Sequence, residues 1–390
     1  MTHRERFFAA VAGKPVDHPP FFPDITDWYA GARTLPGRPR ASGSGCFIAD
    51  DDPINRSPGP MPPCYADWTL MDFYRRFDWG LPVHVYDWFE TVYNGVEQST
   101  SRQGNRRITR LRCPAGELRK VATMAADGSW APTEHYVKRL DDLDIIRYVV
   151  ERTSFRPRYE RVREVLAAVG DMGVIDLPIM RSPFGKLVHE YMGFEQVVYA
   201  LFDEPQRLLD FMAAQEVRDL ELVALAAEAP AKVVILSDHA DENLISPDLY
   251  RRYCIPHYHK ACAVLHRAGK IVSTHLDGNI HGYMPLLGET GFDLLDGCTP
   301  APMMNYEPEE LAAALPDRMS CYCGVPATLL CRSATGEQVV AFGRRILEAF
   351  GGRVILNVGD ILPPDGDIRH VVALGEMVNA NVTNADECHE

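Results

Sequence analysis

Lys270-Ile271-Val272-Ser273-Thr274-His275-Leu276-Asp277-Gly278-Asn279 reads as a buried strand that stops at two polar groups and a glycine. Successive side chains on a strand face opposite ways, so His275 and Asp277, two apart, emerge on the same side. Gly278 is expected to let the backbone turn there, leaving both groups at the lip of a sheet. That lip is where parallel α/β sheets carry their chemistry.

The same unit recurs on both sides of this stretch. Lys232-Val233-Val234-Ile235-Leu236 is a strand ending at Ser237-Asp238-His239, and Ser246-Pro247-Asp248 then supplies an N-cap, a proline at the first helical position and an early acid. Residues 173–178, 292–296, 319–323 and 353–357 are further short apolar runs, each followed by a break and a helical pattern. With Phe21-Phe22 and Val83-His84-Val85-Tyr86 as the first two, the strands come to about eight. Repeated βα units have right-handed crossovers, and eight of them close on themselves, so the predicted fold is an α/β (β/α)8 TIM barrel. An open doubly wound sheet is the alternative, but no G-x-G-x-x-G follows the first strand.

The N-terminal third departs from this rhythm. Residues 2–13 read as a helix with Phe7, Phe8 and Val11 on one face, and residues 33–63, rich in Gly, Pro, Ser and Arg, as a surface excursion or lid. Alternating runs around Asn94-Gly95 and Gly104-Asn105 predict antiparallel hairpins. The chain is therefore expected to be one domain, 1–390, with an N-terminal helical and hairpin insertion in which 33–125 form the lid and hairpins.

A formal net charge of -14 argues against partners that are nucleic acid or an anionic membrane surface. The N-terminus lacks the apolar core of a signal peptide and no apolar run approaches a bilayer's thickness, so a cytoplasmic protein is expected. Ten cysteines are scattered, not packed into a disulfide framework, and most are expected reduced and buried, Cys321-Tyr322-Cys323 included. The aromatic segment Tyr86-Asp87-Trp88-Phe89 suggests pairing into a homodimer.

A barrel would gather Asp24, Arg181, Asp238, His239, Asp241, His275, Asp277, Asp296, Cys298, Cys323 and Asp360 at its C-terminal mouth. His275, Asp277 and Asp360 are the sharpest subset, because one imidazole and two carboxylates suit a divalent ion such as zinc, iron or manganese. The same three also suit a metal-free acid/base site. Asp24, Arg181, Asp238 and His239 are the remaining catalytic candidates, with Asp24 or Asp238 as proton donor and Arg181 holding a carboxylate. His257, His259 and His266, on the preceding helix, share no single face and read as core or solvated histidines.

The chain resembles the uroporphyrinogen decarboxylase superfamily, and within it the corrinoid-dependent methyltransferase branch. The resembling pieces are residues 4–17 (RERFFAAVAGKPVD), 112–118 (RCPAGEL), 245–250 (ISPDLY), His275-Leu276-Asp277-Gly278-Asn279, and 355–360 (ILNVGD) followed by Pro363-Pro364. The resemblance implies a (β/α)8 barrel whose mouth binds a small methylated substrate and receives a corrinoid (cobalamin) cofactor, usually on a separate corrinoid protein. Where true decarboxylases of the superfamily carry an arginine segment for substrate carboxylates, this chain reads Phe22-Pro23-Asp24-Ile25-Thr26-Asp27-Trp28-Tyr29. The zinc-dependent thiol methyltransferases carry H-x-C and a later Cys after a glycine; Asp277 and Asp360 stand in those two places. The expected activity is transfer of a methyl group from an O-, S- or N-methyl compound to a corrinoid. A cofactor-free decarboxylase or lyase and a non-catalytic corrinoid- or metabolite-binding protein are the alternatives.

Overall fold

The computed structural model describes residues 1–33, 61–125, 130–331 and 333–386. Most of the lid expected over 33–63 lies outside the described residues.

A seven-stranded parallel sheet forms the body, in the order β1 (Leu81–His84), β8 (Gly173–Met180), β9 (Val233–Ser237), β10 (Ile271–His275), β11 (Leu294–Cys298), β12 (Ser320–Gly324) and β13 (Val354–Asn357). The eighth position is filled by Phe21 and its neighbours, which close the ring. Phe21 bridges Leu356 in parallel, Phe22 N–H donates to the Leu356 carbonyl at 2.9 Å, and Gly80 N–H, just before β1, donates to the Phe21 carbonyl at 2.9 Å. Pro19, Pro20 and Pro23 flank this segment. Proline has no N–H for a ladder, so the predicted first strand survives only as a bridge.

The barrel interior is graded along its axis. Phe22, Val174, Val233, Leu294, Tyr322 and Ile355 form a buried apolar layer, against which Phe7 and Val11 pack from the helix His3–Val11. That helix starts with a capping box, in which the Thr2 hydroxyl takes the Glu5 N–H and the Glu5 carboxylate takes the Thr2 N–H. It is fastened to the barrel floor by the Ser320 hydroxyl, which donates to the Ala10 carbonyl at 3.0 Å, and by an edge-to-face contact of Phe7 with Phe22, centroids 5.3 Å apart. One end is thus plugged. Two residues beyond Val174, Leu294 and Ile355 the inward positions turn polar, giving Asp176, Asp296 and Asn357 at the other end, where His275 stands level with Asp296.

The hairpin expectation holds at Gly104-Asn105, within an antiparallel meander of β3 (Glu97–Gln103), β4 (Arg106–Cys113), β5 (Gly116–Met124) and β6 (Trp130–Glu134), but not at Asn94-Gly95, which links β3 to β2 (Phe89–Tyr93), a strand that pairs antiparallel with β7 (Thr153–Pro157) in a separate sheet. Leu111 and Leu118 of the meander and Leu143 and Ile146 of the helix Asp142–Glu151 belong to one buried cluster. Of the aromatic segment offered for pairing, Trp88 is wholly buried with its indole N–H on the Pro178 carbonyl at 3.0 Å, while Tyr86 is exposed. No helix among the described residues is long and apolar enough to cross a membrane.

Phe22 carries the floor, being wholly buried between the plug helix and the ring closure. Phe22→Ala is expected to cost about 3–5 kcal/mol in urea unfolding, the usual range for emptying an aromatic core position; a loss below about 1 kcal/mol would show the floor to be held elsewhere.

Candidate active site

Strand register builds the open end. In a parallel pair, residues level with one another point the same way, and the register aligns His84 of β1 with Asp176 of β8 and His275 of β10 with Asp296 of β11. His84 Nδ1 lies 2.8 Å from Asp176 Oδ2, and His275 Nδ1 lies 3.1 Å from Asp296 Oδ2. With Nδ1 committed to a carboxylate, His275 keeps Nε2 for the cavity. That nitrogen is 3.6 Å from Asp277 and 3.7 Å from Asp360. His239 completes the group: its Nδ1 is 3.4 Å from Asp277, and its ring stands edge-on to His275 with centroids 5.2 Å apart.

The structure therefore brings His275, Asp277 and Asp360 together and adds His239 to them. Ligand atoms of His239, His275 and Asp277 all lie within 4.8 Å of one another. An ion with bonds of about 2.1 Å in a tetrahedral site has ligand-to-ligand edges of about 3.4 Å, close to the separations between these imidazoles and carboxylates. The donor set fits a divalent ion.

Burial and pairing set the charges. Burial lowers the pKa of His275, but hydrogen bonds to Asp277 and Asp296 and the nearby Asp360 outweigh it and hold the ring well above its usual value. Asp277 is raised by burial yet held far below the usual carboxylate range by His239 and His275. Asp360 is pushed up to about 6 by burial, against the pull of His275 and with repulsion from Asp296 and Asp277. Half of its side-chain surface is exposed, so solvent tempers that shift. His84 is lowered by burial but carried up to about 10 by Asp176, Asp296 and Asp24. Asp176 also moves upward, under burial and against the pull of His84. The pair is one unit, stabilised less than the His84 shift alone implies, with its proton on the imidazole.

The other sequence candidates divide. Asp24 lines the mouth cavity, its Oδ1 taking the Thr26 N–H at 2.8 Å and the Thr26 hydroxyl at 2.6 Å, and burial raises its carboxyl. Asp238 is wholly buried, accepting the Ser182 N–H at 2.7 Å and the Tyr258 hydroxyl, so it braces the wall and does not reach the cavity. Arg181 is tied to Glu190 at 3.2 Å, which answers part of the charge it was expected to offer a substrate. Arg181 and His239, at the ends of β8 and β9, have left-handed backbones with φ of 60° and 48°. Non-glycine residues hold that conformation only where packing over-determines it, a mark of functional loops. Asp241 staples two loops by accepting the N–H groups of Asn243 and Asn279.

Cys298 and Cys323 leave the rim. Tyr322 points into the barrel, so its neighbours Cys321 and Cys323 point outward into the helix layer, and all three of these cysteines are wholly buried. His257, His259 and His266 engage Glu216, the Glu289 carbonyl and Asp293, away from the mouth. Gly278 is needed for a reason other than a turn: its backbone is not left-handed, and a Cβ there would stand 2.7 Å from the Asp241 Cβ and 2.8 Å from the Ala240 carbonyl.

Three contributors escaped sequence reasoning. His84 and Asp176 looked like interior strand residues; the available signal was a charged residue at an inward position in each apolar run. Asn357 accepts the Asp24 N–H at 3.1 Å and donates to the Asp360 carbonyl at 3.2 Å, tying the two acidic loops together. The described residues lining the mouth cavity, about 150 Å³, include His84, His239, His275, Asp24, Asp296 and Asp360, and neither Lys nor Arg.

Two outcomes test this geometry. His84 has a raised folded pKa, so its contribution to stability is complete below the ordinary value of 6.5 and disappears as pH rises through about 10. Urea unfolding across that window should show wild-type stability falling toward alkaline pH and His84→Gln with a flatter slope; parallel slopes would refute the cationic imidazole. Gly297 is left-handed, with φ of 76°, and a Cβ there would stand 2.6 Å from the His275 ring. Gly297→Ala is expected to cost about 1–3 kcal/mol and to move the His275 Cε1–H signal in NMR spectra; an unmoved signal would show the ring to be free of this contact.

A family model described as uroporphyrinogen decarboxylase (URO-D) matches residues 128–380. Among solved structures, a methyltransferase from Methanosarcina mazei superposes with a TM-score of 0.59 at 14% identity, covering 98% of this chain and 99% of that one. A B12-independent methionine synthase from Shewanella sp. W3-18-1, in complex with selenomethionine, gives a TM-score of 0.44 at 10% identity, covering 95% and 97%. No curated protein sequence matches the chain.

Proposed function

The chain belongs to the uroporphyrinogen decarboxylase family, and from that premise we propose that it is a methyltransferase, moving a methyl group from a small methylated compound to a corrinoid carried by a partner protein. The observation that supports this reading is the donor set of His239, His275, Asp277 and Asp360, spaced at 3.4–3.7 Å around His275 and Asp277. A divalent ion held by these residues supplies Lewis acidity to the heteroatom that the methyl leaves. Two carboxylates balance its charge as two thiolates would, but their harder oxygens select zinc less strongly against iron or manganese.

The rest of the site serves that chemistry. Asp296 engages His275 Nδ1 and so leaves Nε2 as the nitrogen that would hold the ion. Asp24, with Oδ1 engaged by Thr26, keeps Oδ2 to carry a proton to the departing heteroatom. A cavity of about 150 Å³ admits a small donor group and no macrocycle, which fits an acceptor presented from outside. The described lining offers neither Lys nor Arg to grip the carboxylates of a polycarboxylated pyrrole, so it does not favour the decarboxylase alternative.

Protein purified without chelator should hold about one zinc, iron or manganese ion per chain and form methylcobalamin from cob(I)alamin with at least one methoxy, methylthio or methylammonium compound. His275→Ala should lose both metal and activity, and Asp277→Cys should tighten zinc. Full activity in metal-free protein would overturn the metal's role; no transfer from any donor by folded, metal-loaded protein would overturn the reaction.

A further inference from the structure

A second cavity, about 310 Å³, lies between the meander and the long helix Pro205–Glu228. Tyr86 and Pro178 line both it and the mouth. Its walls are aromatic, with Phe89, Tyr93, Tyr136, Phe155 and Tyr191. Two charged groups inside it are incompletely matched. Outward arginines of the meander near it are paired, Arg110 and Arg112 with Glu117 and Arg119 with Glu134. Lys120, next along β5, is turned the other way by strand alternation and lines the cavity. It lies over the Tyr136 ring at 5.1 Å and has no carboxylate within ion-pair distance among the described residues. Burial lowers its pKa, with only Glu190 nearby to oppose this.

The second group is Asp219, which is 1% exposed and lines the same cavity. Its Oδ1 takes the Lys186 ammonium and, at 2.8 Å, the Gln215 amide, while Oδ2 has no hydrogen-bond partner. A buried carboxylate oxygen without a donor is costly, as is a half-buried ammonium without an anion.

We propose that this cavity binds the body of an aromatic carboxylate: its carboxylate pairs with Lys120, its ring lies among the aromatic walls, and a hydroxyl on the ring can donate to Asp219. As a substrate site this rests on the methyltransferase reading, for it places a methyl-bearing end at Tyr86 and Pro178, facing the mouth. The position of the one ammonium orients the ligand, since Lys120 lines this cavity and not the mouth, whose described lining holds neither Lys nor Arg.

Calorimetric titration with para-methoxybenzoate, and with para-methoxybenzyl alcohol as its uncharged analogue, tests the site on the metal-loaded protein and on His275→Ala. Wild type and His275→Ala should bind the carboxylate alike, and Lys120→Met, which keeps the aliphatic stem, should weaken it by about tenfold or more while leaving the alcohol unchanged. Lys120→Arg should recover part of the loss. Carboxylate binding of this pattern without methyl transfer would uphold the cavity and count against the methyltransferase reading. Absence of binding to folded wild type, or equal binding by Lys120→Met, would overturn the inference and leave the proposed function standing if other donors are turned over.

Discussion

The contact on which the open end of this barrel depends is the one between His275 and Asp296. At 3.1 Å it fixes the imidazole's Nδ1, and so decides that Nε2 meets Asp277 and Asp360. It arises from backbone register alone, because the two residues are level on neighbouring parallel strands. A slip by one residue would turn every inward side chain outward, sending these groups into an apolar helix layer. The site is therefore as secure as the sheet.

The same register produces the His84–Asp176 pair across the barrel from β10 and β11. Both couples sit above an apolar floor in which Phe22, Val233, Leu294 and Ile355 exclude water. Low polarity beneath strengthens each ion pair and makes each unpaired carboxylate harder to ionise. Asp24 and Asp360 are accordingly raised while Asp277, held between two histidines, is lowered. One kind of side chain thus has its proton affinity shifted in opposite directions within a single site.

Around this centre the loops are held by backbone demands. Arg181 and His239 adopt left-handed conformations, Gly278 and Gly297 leave room for Asp241 and the His275 ring, and Asn357 joins the loops of Asp24 and Asp360. Apart from His239, none of these residues need be chemical. They keep four potential ligands within a few ångströms, and preorganisation of that kind is what separates a site from a set of wet loop ends.

Much of this was legible in the chain itself. Short apolar runs ending in polar residues, separated by capped helices, specify a parallel sheet covered on both faces, and about eight of them point to its closure into a barrel. The turn signal at Gly104-Asn105 specified the β3–β4 hairpin, whereas Asn94-Gly95 joins strands of two different sheets, and the two-residue spacing of His275 and Asp277 put both at one lip. Only the folded chain decided which lip residues meet. Asp238 and His239 are neighbours in sequence, yet one braces the wall and the other faces His275. Cys323 reads like a rim residue but its parity sends it into the helix layer. Parity, register and the pairing of distant strands are long-range properties: periodicity fixes how side chains alternate along one strand, whereas the partner strand fixes which of them share a cavity.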